Sequence, residues 1–84
     1  MNSIYWATKA TRQVRKLDKP MRATILDAIE DLGHMPNCQH VKALANHAYG
    51  YRLGVGNYRV LFDGDGAIRI VEIQEVRKRD ERTY

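Results

Sequence analysis

The segment from Tyr51 to Phe62 constrains the fold more than any other part of the chain. Tyr51, Leu53 and Val55 alternate with Arg52, Gly54 and Gly56. After Gly56-Asn57, Tyr58, Val60 and Phe62 alternate with Arg59 and Leu61. An apolar residue at every second position is the period of a half-buried strand. Gly-Asn between two such runs marks a two-residue hairpin, because both residues accept the positive φ that its turns demand. The register follows from the turn: Val55 pairs with Tyr58, Leu53 with Val60 and Tyr51 with Phe62. These side chains form the core face, extended by Val71 and Ile73. The opposite face carries Arg52, Gly54, Arg59, Glu72 and, in a regular strand, Lys78, interrupted by Leu61, Ile68 and Ile70. Arg59 falls directly across from Gly54, with Glu72 a candidate neighbour.

Upstream the period is 3.6. Ala10, Val14 and Leu17 space a narrow apolar stripe on a helix from about residue 7 to 17, after a short β-forming run, Ile4-Tyr5-Trp6. Asp18 is placed as the N-cap of a second helix with Pro20 in its first turn. Met21, Ile25, Ala28, Ile29 and Leu32 form its stripe, and Gly33 is placed as its C′ residue, with Pro36 just beyond. So short a link predicts an antiparallel helical hairpin. Residues 34–48 read as loop, with a turn of helix at about Val41–Leu44. Asp63-Gly64-Asp65-Gly66 supplies the turn into a last strand, Ile68–Ile73. The predicted class is therefore α+β: a short N-terminal strand, a two-helix antiparallel hairpin, then a three-strand antiparallel meander, in the order β-α-α-β-β-β.

The chain has 84 residues, enough for a single domain spanning 1–84 and one small core. No apolar run approaches the roughly 18 residues of a membrane span, and no signal-peptide pattern opens the sequence. One cysteine, Cys38, fits a reducing compartment, so the expected location is the cytoplasm. The net charge of +4 favours an anionic partner. The charge is concentrated in Lys9, Arg12, Arg15, Lys16, Lys19 and Arg22 near the N-terminus, and in Arg77, Lys78, Arg79 and Arg82 near the C-terminus. Arg52, Arg59 and Lys78 would bring three cations to one side of a sheet. That pattern suits either a surface ion-pair ladder with Glu72 or a phosphate site, since arginine forks match phosphate oxygens and stay charged.

The run Tyr51-Arg52-Leu53-Gly54-Val55-Gly56-Asn57-Tyr58-Arg59-Val60-Leu61-Phe62 resembles the strand signature of the RelE/ParE toxins, a Leu-Arg-Val-Gly-Asp-Tyr-Arg-Val pattern. The ending, Glu72-Ile73-Gln74-Glu75-Val76-Arg77-Lys78-Arg79 and then Tyr84, resembles that family's last strand and basic-to-tyrosine tail. The helical hairpin and the length agree, so the resemblance spans the chain. It implies the RelE-like microbial ribonuclease-type fold and the toxin of a type II toxin–antitoxin system. RelE-like members cut mRNA in the ribosomal A site, the 2′-OH attacking the adjacent phosphate. By position, Arg52 and Arg59 would hold the phosphate. Lys78, or its neighbours Arg77 and Arg79, would neutralise the developing charge, and Tyr84 would stack on a base. Lys9, Arg12, Arg15 and Lys16 would meet ribosomal RNA. Neither metal nor cofactor is called for. The implied partners are a cognate antitoxin, the ribosome and mRNA, with operator DNA bound only through the antitoxin complex and no membrane.

Gly54 departs from the pattern, standing where many relatives carry a second basic side chain. It leaves open a site with fewer charges, a less active variant, or a space kept for a nucleotide. The alternative within the superfamily is the ParE-like class, which inhibits DNA gyrase. A third is a non-enzymatic nucleic-acid binder using the first helix. His34, Cys38 and His40 make a poor metal site, lacking a fourth ligand. His47 is chiefly a loop residue, with a general base as its alternative role. Glu72 and Glu75 are expected on opposite strand faces and are not a catalytic pair.

Overall fold

The computed structural model describes residues 2–34 and 40–78. Strand β1 (Ser3–Trp6) leads into helix α1 (Thr8–Arg15), then helix α2 (Lys19–Glu30) and a single 3₁₀ turn, Asp31–His34. Strands β2 (Val41–Ala43), β3 (Tyr51–Val55), β4 (Tyr58–Asp65) and β5 (Ile70–Lys78) follow. They form one five-stranded mixed sheet in the order β1-β5-β4-β3-β2, antiparallel except where β1 runs parallel to β5. The predicted α+β order is present, with one strand added at the edge.

That strand is β2. The segment Val41–Ala43, read from the sequence as loop or helical turn, pairs with Leu53, Arg52 and Tyr51 of β3. Three residues are too few to display a period. Pairing along β3 satisfies backbone groups that would otherwise form an open edge, and Val41 packs against the core.

The helices build one side of that core. Ala10 and Val14 of α1, and Ile25 and Ile29 of α2, are buried with Leu53, Val55, Val60, Phe62, Val71, Ile73 and Val76. Phe62 is fully buried and stacks on Tyr51 with ring centroids 5.3 Å apart. The short link between the helices is tied by Arg22, whose Nη2 donates to the carbonyls of Leu17 (2.8 Å) and Arg15 (3.1 Å), groups that a helix end leaves unpaired. Asp18 occupies the N-cap position without a side-chain hydrogen bond; its carbonyl accepts from Arg22 N. Gly33 does not close α2 as a left-handed cap. It is buried within the 3₁₀ turn, and its carbonyl accepts from Asn2 N at 2.9 Å, docking the start of the chain.

The hairpin register is as the alternation predicts: Tyr51 opposite Phe62, Leu53 opposite Val60, Gly54 opposite Arg59 and Val55 opposite Tyr58. Of the turn pair only Gly56 takes a positive φ, +56°. The second turn lies further along than Asp63-Gly64-Asp65-Gly66 suggests. Asp63, Gly64 and Asp65 remain in β4, paired with Glu72, Val71 and Ile70. Asp63 is accommodated there because its Oδ1 accepts from Gly50 N at 2.7 Å. Asp65 Oδ1 then accepts from Ala67 N at 2.9 Å to shape the turn.

The pairing of β4 with β5 slips between Leu61 and Phe62. Phe62 faces Ile73, but Leu61 faces Glu75, so Gln74 is the extra residue of a β-bulge. The inward positions of β5 are therefore Val71, Ile73 and Val76, all buried. No helix among the described residues is long and apolar enough to cross a membrane.

Phe62→Ala should lower unfolding free energy by about 3–5 kcal/mol. Ile68→Ala, at a site 63% exposed, should change it by less than about 0.5 kcal/mol. Urea titration followed by circular dichroism measures both.

Candidate functional site

The sheet face away from the helices carries two cross-strand rows. In one, Lys42 of β2 pairs with Arg52 of β3, which pairs with Leu61 of β4, which pairs with Glu75 of β5. In the next, Gly54 of β3 pairs with Arg59 of β4, which pairs with Arg77 of β5. His40 extends this second row beyond β3, since its carbonyl accepts from Gly54 N at 3.1 Å. Between the rows lies an open depression of about 230 Å³, lined by His40, Lys42, Arg52, Gly54, Tyr58 and Arg59. Arg52 and Arg59, singled out from the sequence, do converge. Lys42 and His40 join them because of β2, the strand the sequence does not reveal.

The bulge changes the last strand's contribution. Unbroken alternation puts Lys78 on the face of Arg52 and Arg59. The extra residue puts Arg77 there instead, opposite Arg59, and pairs Lys78 with Tyr58 at the strand's end. Glu72 likewise does not oppose Arg59. It pairs with Asp63, and Gln74 Nε2 donates to carboxylates of both at 3.3 Å. By the same shift Glu72 and Glu75 face the same side, not opposite sides. Arg79 and Tyr84, and also Cys38, lie outside the described residues.

Glu75 anchors the β5 end of the face. It is only 3% exposed, and its Oε1 accepts from Arg77 Nε at 2.9 Å and Lys9 Nζ at 3.1 Å. Tyr49 adds a hydroxyl hydrogen bond. Burial alone would raise the Glu75 carboxyl; the bonds from Arg77, Lys9 and Tyr49 outweigh it and hold the pKa down at about 2. The same bond to Glu75, followed by desolvation, raises the Tyr49 phenol. Lys9 thus reaches the sheet from α1, alongside Gln13, whose Oε1 accepts from Val76 N at 2.6 Å and covers the edge of β5 beyond β1. Lys9 and Arg77, assigned from the sequence to RNA contact, are brought together by this carboxylate. Arg12, Arg15 and Lys16 are exposed on or just after α1. Arg15 borders a separate apolar groove with Trp6, Val14 and Leu26. His47 stays a loop residue, its Nδ1 accepting from Tyr49 N at 3.1 Å.

Fold and site together define a small mixed-sheet protein with a cationic depression on the face its helices leave open. No protein-family model and no curated protein matches the sequence, whereas solved structures do. The chain is similar to one in the RelBE2 toxin–antitoxin complex from Mycobacterium tuberculosis, with 28% identity, a TM-score of 0.79, and 93% of this chain and 98% of that one covered. It shares its fold with a chain of the archaeal RelE–RelB complex from Pyrococcus horikoshii (18% identity, TM-score 0.81, 95% and 97% covered). It also shares its fold with the isolated RelE toxin of E. coli (16%, 0.80, 96% and 87%). The chain has the fold of the RelE toxins.

Glu75→Gln should destabilise the protein by about 2 kcal/mol at pH 7, where charge-assisted hydrogen bonds are lost. Because the folded-state pKa lies below the ordinary value of 4.5, the stabilisation is complete above about pH 4.5. It disappears as pH falls through about 2. Denaturation midpoints of the two proteins should therefore converge across that window.

Proposed function

We propose that this chain is the toxin of a type II toxin–antitoxin system and that it acts as a ribosome-dependent endoribonuclease. The observation that carries the reading is the convergence of Arg52 and Arg59, with Lys42, on a depression in the sheet of a RelE-like protein. A phosphodiester placed there meets guanidinium groups that can bind its oxygens in bidentate fashion. Attack by a 2′-OH on the adjacent phosphorus builds charge on those oxygens, and fixed cations stabilise it without reorganising. The arginines come from central, mutually paired strands, so their bases are held by the sheet. Arg77 adds positive charge in the row of Arg59, with Lys78 at the strand end. Tyr84 takes the base-stacking role implied by its place in the sequence. Lys9, Arg12, Arg15 and Lys16 supply a cationic flank for ribosomal RNA phosphates.

The partner under this reading is a cognate antitoxin, as in the RelB–RelE complexes among the similar structures. A basic toxin face attracts acidic segments, and binding the folded state would stabilise a small core. The action is cytoplasmic, where ribosomes are.

Induction of the chain should produce breaks inside translated codons, mapped by primer extension. An intact message with gyrase-linked DNA breaks would replace this reading with the ParE-like one. Arg59→Ala should reduce cleavage by about 10²–10³-fold while the circular dichroism spectrum and antitoxin binding are retained.

A further inference from the structure

A nuclease that uses a 2′-OH as nucleophile must remove its proton, and the arginines of this site cannot accept one, since guanidinium stays charged at every working pH. Lysine is protonated near neutrality as well. Around the depression, His40 is the residue of a type that ordinarily exchanges a proton near pH 7. We infer that His40 is the proton acceptor of this site and that Gly54 is the gap across which it meets the scissile phosphate.

Three observations converge on it. The Gly54–His40 backbone bond fixes residue 40 beside Gly54, on the opposite flank from Arg59. The order across the second row is thus histidine, glycine, arginine. Strands lie about 4.8 Å apart, so residues flanking a central strand stand about 10 Å apart at their backbones. That distance suits two long side chains closing on a group between them, provided the middle residue is small. A Cβ built on Gly54 meets nothing within 4 Å, so neither packing nor a left-handed backbone demands glycine there. What its absent side chain does is keep the floor of the depression clear. His40 itself has φ +64°, a conformation that a non-glycine residue holds at a cost and that concentrates at functional sites. The titratable groups that line the depression with His40 are Lys42 of β2, Arg52 of β3, and Tyr58 and Arg59 of β4.

The inference rests on the depression being the phosphate site. The step it describes balances within the substrate. The O2′–P bond forms as the P–O5′ bond breaks, and the 2′-OH proton passes to the imidazole. The departing 5′ oxygen takes a proton from water, and the hydroxide left behind recovers the proton from the imidazolium. The products are a 2′,3′-cyclic phosphate and a 5′-OH.

The test has two arms. In the first, histidine resonances of the full chain are titrated by NMR with and without inorganic phosphate. The His40 midpoint should move to higher pH when phosphate is present, while that of His47 stays put; equal behaviour of the two overturns the inference. In the second, ribosome-dependent cleavage is followed against pH. His40→Ala should lower kcat by about 10²–10⁴-fold, flatten the acid limb of the profile, leave KM within about threefold, and recover partly with added imidazole. Gly54→Leu should abolish cleavage with an unchanged melting temperature. Wild-type kcat and an unchanged pH profile in His40→Ala would overturn the assignment. Failure of the nuclease reading shows differently, as a wild-type chain that leaves mRNA intact.

Discussion

The single extra residue in β5 is the constraint on which the rest of the arrangement depends. Without Gln74 as a bulge, Glu75 and Arg77 would point to the helices and Val76 to solvent. Their burial would then place a carboxylate in the apolar core, where an ionised group has no adequate solvation. With the bulge, Val76 completes the core while Glu75 turns outward to meet Arg77, Lys9 and Tyr49. The same twist that a bulge adds to a strand ends β5 beside α1, where Gln13 takes up the unpaired Val76 amide. Core, edge closure and charge placement are consequences of one slip in register.

Glu75 shows how a strongly basic face is made compatible with a stable sheet. Cations on neighbouring strands repel one another, and the repulsion grows where water is excluded. A carboxylate shared by Lys9 and Arg77 offsets part of that at the β5 end. The depression at the other end keeps Lys42, Arg52 and Arg59 around it. The face is therefore polarised along the rows: partly offset toward β5 and α1, more strongly cationic toward β2. A polyanion approaching it meets the stronger field on the β2 side.

The hairpin was legible because turn chemistry and alternation agree over Tyr51–Phe62, and that agreement carried Arg52, Gly54 and Arg59 to their correct places. The last strand was harder. Its apolar positions run Val71, Ile73 and then Val76, a change of phase from two residues to three, and that change is the sequence trace of the bulge. Overlooking it puts Lys78 where Arg77 stands. β2 left no comparable trace, since three residues cannot show a period and its pairing depends on a partner ten residues away. His40 and Lys42 were hidden with it. The likeness to RelE structures follows the same division: visible in the short hairpin signature and in the backbone, at identities where whole-sequence comparison finds nothing.

The position of β2 at the rim of the sheet has a further consequence. Openings of a folded chain begin where the fewest backbone bonds hold a segment, and a three-residue edge strand is such a place. Arg52 and Arg59 are carried by strands bonded on both sides, while Lys42 rides on the strand that has one neighbour and His40 immediately precedes it. The two halves of the depression thus belong to different tiers of local stability. Its arginine wall is as durable as the sheet itself, and its other wall is as durable as a single short ladder.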